Sequence, residues 1–256
     1  MSYSPSTINR RQLLARGLIL AAGFPTSALV AKVADHYGLI PPDWSGIWGP
    51  GETLTYATQR LLTSHQSMAR EFNRSEISKF MPVSGRHPQT DPYERLRHGG
   101  FADWHLIVDG LVARPAYFSL AELKSLPFRT QITHQACEEG WSFVAAWTGV
   151  PVSYILNHVG ISQGAKFVVF FGFDDVYDSL DLPDAFHPQT LLAYNVNGED
   201  LPTDYGAPLR LRVARQLGYK SIKYLSRITV TDTMKNIGDG RGSSLPSYGY
   251  SWYAGI

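Results

Sequence analysis

The chain has 256 residues, of which 44% are hydrophobic and 12% aromatic, and its formal net charge is +1. This composition allows a large buried core in one globular domain or two merged halves, and it excludes a disordered or fibrous protein. Because the chain lacks a long basic run and a strong net charge, a nucleic-acid-binding surface is not predicted. A small molecule or another protein is the expected partner.

The first 31 residues have the layout of an export signal. Arg10 and Arg11 precede an apolar run over 18–24, and small residues follow over 27–31. This pattern resembles a twin-arginine leader, and an apolar run this short cannot span a bilayer as a helix. The alternative is an amphipathic terminal helix with two surface arginines. The leader predicts a periplasmic protein that is exported already folded.

The next part of the chain changes from loop-like to regular. Residues 32–69 form an extension rich in Pro, Gly and Trp, in which 32–60 is predicted as an extended linker that wraps onto the body, and 62–92 is predicted as mostly loop. Residues 104–110 alternate and end in Asp-Gly, which predicts a strand and a turn. Ser119 and Glu122 have the spacing of a capping box, so 119–126 is predicted as a short helix.

The second half of the chain is rich in strand signals. Residues 150–160 predict a one-face helix that ends at Gly160. The predicted strands lie in 128–136, 166–173, a hairpin over 190–202 that turns at Asn197-Gly198, and 209–215 and 226–232, each of the last two with one solvated face. The result is an α+β fold, mixed and strand-rich, with short helices. Glycine-rich nucleotide-binding motifs are absent from the sequence.

An acidic stretch and one histidine interrupt this pattern. Five aspartates lie in 174–184, and we predict a mobile acidic loop there, with a position at the mouth of a pocket as the alternative. His187, followed by Pro188, is predicted to be buried and hydrogen-bonded rather than catalytic.

Cys137, in the stretch THQACEEGWS, is the only cysteine of the chain, so an internal disulfide is impossible. A free cysteine is commonly a small buried apolar residue. Its thiolate can also bind a soft or redox-active metal, whereas zinc needs several ligands at short spacing that are absent here. A third interpretation is a nucleophile with His134 as its base. The residue types alone leave these alternatives open.

A set of short motifs narrows the choice. In chain order they are Cys137, Trp141-Ser142, Trp147-x-Gly149-x-Pro151, His187-Pro188, Gly206-Ala-Pro-x-Arg210 and Gly218-Tyr-Lys-Ser-x-Lys223. Together they resemble the molybdopterin-binding domain of the sulfite oxidase superfamily, and most closely its bacterial periplasmic branch of methionine sulfoxide reductase catalytic subunits. The resemblance implies a catalytic domain over 70–235 with the strand-rich fold of that superfamily, followed by a C-terminal tail over 236–256.

The resemblance also implies a cofactor and its ligands. Cys137 would supply the single protein thiolate to the molybdenum of a molybdenum–molybdopterin cofactor. The other cofactor-binding residues that it implies are Asn73, Gly172, Tyr205, Arg210, Ser221, Ile222 and Lys223. Among them, Arg210 and Lys223 would bind the phosphate of the pterin, although Arg210 could instead share a solvated strand face with Arg212. Lys220 could bind the same phosphate or be an exposed turn residue.

The implied activity is a two-electron oxygen-atom transfer. Glu138 and Glu139 stand where animal and plant sulfite oxidases carry a cationic element, so a neutral or cationic substrate such as a sulfoxide is expected if these carboxylates face the pocket. Sulfite oxidation is the enzymatic alternative, and a binding module with a decayed site is the non-enzymatic one. Because the chain has no haem-binding motif, electrons are expected to come from a separate protein, a membrane haem or quinone-linked subunit. A monomeric catalytic unit is expected.

Overall fold

Two five-stranded sheets carry the part of the chain that the structure, a computed structural model, describes: residues 32–34, 38–41 and 50–256. The predicted twin-arginine leader over 1–31 lies outside these residues. Residues 41–256 form one compact unit. No helix among the described residues is long and apolar enough to cross a membrane.

The strands alternate with short helices along the chain. The strands are β1 His105–Gly110, β2 Ala116–Ser119, β3 Arg129–Ala136, β4 Ser142–Pro151, β5 Phe167–Gly172, β6 Tyr177–Asp181, β7 Thr190–Val196, β8 Glu199–Asp200, β9 Arg210–Val213 and β10 Leu225–Thr231. The helices are α1 Pro50–Leu62, α2 Asp91–His98, α3 Leu120–Ser125, α4 Val152–Val159 and α5 Leu182–Ala185. This is the predicted strand-rich α+β architecture.

The first sheet has the order β2-β1-β10-β5-β6, and the second has the order β3-β4-β7-β8 with β9 also paired to β7. The β1–β10 pair is parallel, and the other pairs are antiparallel. A hydrophobic cluster joins both sheets and α4, and it includes Val108, Ile155, Phe170, Leu192 and Leu211. Burial of these side chains between the sheets is the main stabilising contribution to the fold.

Several local predictions are confirmed. At the start of α3, the Ser119 hydroxyl accepts a hydrogen bond from the Glu122 N–H at 3.2 Å, and the Glu122 carboxylate accepts one from the Ser119 N–H at 2.7 Å. Helix α4 ends at Gly160, whose φ of 69° favours glycine. The turn between β7 and β8 places Asn197 and Gly198 at positive φ, as a two-residue hairpin turn requires.

The predicted linker over 32–60 is wrong for residues 50–60, because they belong to helix α1. Tyr56 and Arg60 of this helix are buried, and Arg60 forms ion pairs with Asp181 and Asp184. The helix is therefore held by partners more than 120 residues away, which a local pattern cannot indicate.

The predicted solvated face of strand β9 is also wrong. All four of its residues are buried, including Arg210 and Arg212. Alternation of charged and apolar residues normally marks a half-exposed strand, but here the arginines point into the interior. Strand β10 does show the predicted alternation of burial.

The predicted mobile acidic loop is wrong for residues 177–184. Residues 177–185 form β6 and α5, and Asp178, Asp181 and Asp184 are buried. Buried carboxylates need compensating partners. Asp178 obtains one from Lys220, whose Nζ lies 2.6 Å from Asp178 Oδ1. Arg60 of α1 forms ion pairs with Asp181 and Asp184, and Arg215 forms a second one with Asp184.

The C-terminal residues lie against the body of the domain. The N–H of Leu217 donates to the carbonyl of Ala254 at 2.9 Å, and the N–H of Ile256 donates to the carbonyl of Arg215 at 3.0 Å. The Tyr253 ring contacts the Tyr56 ring of α1 edge-on, with 5.1 Å between centroids. Helix α1 and the C-terminal residues therefore pack together.

Candidate active site

A cavity of about 290 Å³ opens beside the end of β3. Several separate parts of the chain line it, chiefly a loop over 82–86, the turn 137–141 after β3 (the thiol turn), the turn 218–223 before β10 (the basic turn), and two residues of the C-terminal segment. Residues of neighbouring strands and turns, among them Asp174 and Asp204, complete the wall. Cavities of this size that carry a few convergent polar groups are typical of small-molecule sites.

The thiol turn presents Cys137 to this cavity. The Cys137 N–H donates to the carbonyl of Trp141 at 2.9 Å, and the Gly140 N–H donates back to the carbonyl of Cys137 at 3.1 Å. Gly140 has a φ of 91°, which an L side chain rarely adopts. The turn is therefore closed on itself and leaves the thiol half-buried at the cavity wall.

The surroundings of Cys137 disfavour a free thiolate. Burial is the main cause that raises the pKa of the Cys137 thiol to about 12, and the carboxylates of Glu138 and Glu139 contribute to this rise against a lowering contribution from the Glu139 backbone N–H. The Cys137 Sγ lies 3.3 Å from Glu138 Oε2. Without a cation beside it, the sulfur stays protonated at neutral pH. A metal ion is the kind of partner that deprotonates such a thiol.

The geometry does not support Cys137 as a nucleophile activated by His134. Neighbouring residues of a strand point to opposite faces, and Gln135 of β3 lines the cavity. The His134 ring lies instead beside Phe72, with 6.4 Å between ring centroids.

Arg210 supplies a buried cation to the cavity. Its guanidinium donates to the carbonyls of Tyr205 and Ser221, each at 3.0 Å, and lies 5.0 Å from the centre of the Trp147 ring. No carboxylate of the described residues forms an ion pair with it. Burial lowers its pKa to about 10. A buried charge without a counterion is costly, so an anion in the cavity would be stabilised here.

Lys223 supplies a second cation. Its Nζ donates to the carbonyls of Ser84 and Asp204, at 2.7 and 3.1 Å. Burial lowers the pKa of Lys223 to about 8, and the nearby charge of Arg210 adds to this effect. The carboxylates of Asp174 and Asp204 act in the opposite direction on Lys223, but neither forms an ion pair with it among the described residues, so an anion beside the two cations would be favoured.

The structure brings six of the predicted site residues to one cavity. They are Cys137, Tyr205, Arg210, Ser221, Ile222 and Lys223. The Ser221 hydroxyl accepts from the Val213 N–H at 3.0 Å, Ile222 is buried in the core, and the Tyr205 hydroxyl donates to the carbonyl of Met81 at 2.6 Å. The basic turn is therefore fixed to β9 by the Ser221 hydroxyl. The Tyr205 side chain is fixed to Met81, the residue before loop 82–86.

Gly172 and Asn73 are not among the residues that line the cavity. Gly172 lies next to it, because a side chain there would collide with Asp174 Oδ1 and with the carbonyl of Lys223. Asn73 is exposed, and its N–H donates to Glu76 Oε2 at 2.8 Å. Lys220 is neither exposed nor at the cavity, because its ammonium is buried against Asp178.

Other lining residues were not predicted as site residues. Arg86, Gln135, Tyr219 and Tyr250 all reach the cavity, and Glu138 and Glu139 do face it. Asp174 also lines it, as the alternative for the acidic stretch expected. Loop 82–86 and the C-terminal residues carry no periodic or motif signal that could have indicated this. Across the described ranges, no group of three or more His, Cys, Asp or Glu side chains is placed to hold a metal ion.

The fold and the cavity define a cofactor-binding domain of two sheets, in which one thiol shares a cavity with the cations of Arg210 and Lys223. The sulfane dehydrogenase SoxCD from Paracoccus pantotrophus has a similar fold, with a TM-score of 0.50 and 24% identity over 52% of this chain and 39% of that chain. Residues 94–237 match the oxidoreductase molybdopterin binding domain, and the chain belongs to this family.

Relatives of this chain carry related names. A candidate protein-methionine-sulfoxide reductase subunit, YedZ1, of Azospira oryzae is 38% identical over 162 residues, which cover 63% of this chain and 60% of the relative. The protein-methionine-sulfoxide reductase catalytic subunit MsrP of Xanthomonas campestris pv. campestris is 35% identical over 162 residues, which cover 57% of this chain and 50% of the relative. The chain thus spans between half and 60% of the length of these curated relatives.

These findings confirm the resemblance found in the sequence motifs. They also confirm the strand-rich fold of the sulfite oxidase type and molybdopterin as the cofactor of the family. The roles of individual residues at the cavity remain predictions.

Proposed function

We propose that this protein is a molybdopterin-dependent oxidoreductase that transfers an oxygen atom in a two-electron reaction and reduces a sulfoxide. The observation that carries the proposal is that the only thiol of the chain shares a cavity with the cations of Arg210 and Lys223, neither of which forms an ion pair within the described ranges. This donor set matches a cofactor with a thiophilic metal at one end and a phosphate at the other.

Each end of the cofactor has a candidate partner. Cys137 would hold the molybdenum, because its thiol needs a cation beside it to lose its proton. Arg210 and Lys223 would bind the phosphate, with Ser221 and Ile222 of the basic turn beside them, and Tyr205 would contribute at the wall. Gly172 would act through its backbone next to Lys223, whereas Asn73 remains a prediction from the sequence alone. When bound, the cofactor supplies the two-electron redox change.

The residues around Cys137 favour a substrate without negative charge. Glu138 and Glu139 both line the cavity, and neither forms an ion pair in the part of the chain that the structure describes. Two carboxylates disfavour a sulfite or sulfate dianion beside them. The names of the relatives support the same substrate class. Sulfite oxidation is therefore the weaker alternative.

The proposal includes a partner and a location. Electrons would come from a separate membrane haem or quinone-linked protein, and the catalytic unit would be monomeric. The paired arginines near the N-terminus support export to the periplasm by the twin-arginine route.

The metal assignment can be tested by elemental analysis. Protein produced with an intact cofactor pathway should contain about one molybdenum per chain, because a single thiolate serves one metal. Cys137→Ser should lose the molybdenum, and Arg210→Met should lower bound cofactor phosphate. The matched control is Arg129→Met, an exposed arginine of β3, which should retain both. Retention of molybdenum by Cys137→Ser would reject the assignment.

The substrate class can be tested with the same preparations. With an artificial electron donor, wild-type protein should reduce methionine sulfoxide, and with an electron acceptor it should oxidise sulfite slowly or not at all. Faster turnover of sulfite than of methionine sulfoxide would favour the alternative. A molybdenum-loaded protein that turns over neither substrate would contradict both.

A further inference from the structure

The C-terminal segment contributes to the wall of the cavity. Leu245 and Tyr250 both line it. They are the first and last residues of a segment over 245–250, the C-terminal strap. The strap lies beyond residues 94–237, which match the family. It is therefore a feature of this chain that the family match does not explain.

The strap is fixed at both ends. Before it, the Ser244 N–H donates to the carbonyl of Tyr177 at 3.0 Å, and the Tyr177 N–H donates to the Ser244 hydroxyl at 3.1 Å. After it, Lys220 Nζ donates to the carbonyl of Trp252 at 2.7 Å, and the Trp252 indole N–H donates to the Ser179 hydroxyl at 2.8 Å. A short segment between two such anchors keeps its side chains at defined positions.

Tyr250 connects the strap to both turns of the cavity. Its ring stacks on Tyr219 of the basic turn, with 4.9 Å between centroids and 17° between planes. The Tyr219 hydroxyl donates to the carbonyl of Ser251 at 2.6 Å. Tyr250 also lines the cavity beside Glu138 of the thiol turn, and burial together with the nearby Glu138 carboxylate raises the pKa of the phenol. A phenol can donate to a carboxylate, so Tyr250, fixed by its stacking on Tyr219, is placed to orient Glu138.

A second observation at the same wall points to a ligand that donates hydrogen bonds. Gln135 lines the cavity two residues before Cys137 and is only 6% exposed. Its amide oxygen has no hydrogen-bond partner among the described residues. A buried acceptor without a partner is costly, and a bound N–H group would satisfy it.

We propose that the C-terminal strap is a specificity element, in which Tyr250 holds Glu138 so that the cavity prefers S-oxide peptides with a cationic neighbour over those with an anionic neighbour. This inference rests on the proposed sulfoxide reduction and names the substrate class more closely. The lone acceptor of Gln135 would receive a peptide N–H, and the Glu138 carboxylate would attract the cationic group.

The test measures binding separately from turnover. Two blocked tripeptides with central methionine sulfoxide, one with lysine and one with glutamate beside it, are titrated calorimetrically into oxidised holoenzyme without an electron donor. The lysine peptide should bind roughly fivefold more tightly, the order expected of one partly exposed ion pair. Glu138→Gln should abolish this preference, and Tyr250→Phe, which keeps the ring stacking, should reduce it by at least half.

Tyr248→Phe is the matched control, because Tyr248 belongs to the same strap but is 77% exposed. Its preference should equal that of the wild type. Equal binding of both peptides to the wild type, binding of neither, or an unchanged preference in Tyr250→Phe would overturn the inference. Selective binding without reduction in a parallel turnover assay would contradict the proposed function alone. Equal binding with rapid reduction would contradict the inference alone.

Discussion

The buried ion pair between Lys220 and Asp178 fixes the basic turn to β6, and its contribution to the free energy of unfolding can be measured by removing the Lys220 charge. Lys220 Nζ donates to Asp178 Oδ1 at 2.6 Å and to the carbonyls of Ser179 and Trp252 at 2.9 and 2.7 Å, so all three ammonium protons are used. Both side chains are almost fully buried. Lys220→Met keeps the aliphatic part of the side chain and removes the charge.

The size of the effect follows from the state of Asp178 in the variant. An unpaired buried carboxylate would take up a proton, and keeping a group with an ordinary pKa of 3.8 protonated at pH 7 costs about 4 kcal/mol. This value agrees with the known cost of removing one partner of a buried ion pair, which is roughly 3–5 kcal/mol. At pH 5 the same proton uptake costs only about 1.6 kcal/mol. The destabilisation should therefore shrink as the pH falls.

The assay is urea unfolding of the cofactor-free protein at pH 7 and pH 5, since bound cofactor would add its own stabilisation. The control is Lys124→Met, because Lys124 pairs with Asp200 at the same 2.6 Å but on the surface. The control should lose at most about 1 kcal/mol. A loss below about 1 kcal/mol in Lys220→Met at pH 7, or an equal loss at both pH values, would refute the reasoning.

Three further predictions concern the fold. Burial lowers the pKa of His187 to about 4, so the unfolded state takes up a proton at a higher pH than the folded state does. The stability of the wild type should therefore fall as the pH is lowered from 7 to 5. Urea unfolding should show that this fall exceeds the fall in His187→Gln by at most about 2 kcal/mol. Ser119→Ala should cost about 1 kcal/mol by loss of the capping box, measured the same way, and no loss would contradict the cap. Gly149→Ala should cost about 3 kcal/mol or more, because its Cβ would collide with the backbone of Leu192 and Ala193, and unchanged thermal unfolding would contradict this.

Local signals predicted the regular elements well. Capping residues, the Asn197-Gly198 turn and strand alternation act over a few residues, and they located α3, the β7–β8 hairpin and β10. The wrong predictions share a physical cause. Helix α1, the buried strand β9 and the buried aspartates of β6 and α5 all depend on charges paired or enclosed across the fold, and sequence periodicity carries no information about such partners.

The same distinction applies to the cavity. The thiol turn and the basic turn are short motifs, so the resemblance could predict Cys137, Arg210, Ser221 and Lys223 together. Loop 82–86 and the C-terminal strap reach the cavity through tertiary contacts alone, and nothing in their composition indicates it. Gln135 could have been suspected from strand alternation, since it lies two residues before the thiol.

The cofactor and the substrate would contact different parts of the cavity wall. Apart from Asn73, the residues that would bind the cofactor lie within the family match, whereas Tyr250 and Leu245 of the strap lie outside it. Binding of the cofactor depends on ligands for its metal and its phosphate. Binding of the substrate depends on the shape and charge of the wall near the thiol. The strap and the residues after it pack on Lys220 and Tyr219 of the basic turn, so loss of the Tyr250 ring would disturb that turn, whereas loss of the Tyr250 hydroxyl alone would not. Under the proposed function, we therefore expect Tyr250→Phe to change the substrate preference and to leave the bound cofactor unchanged.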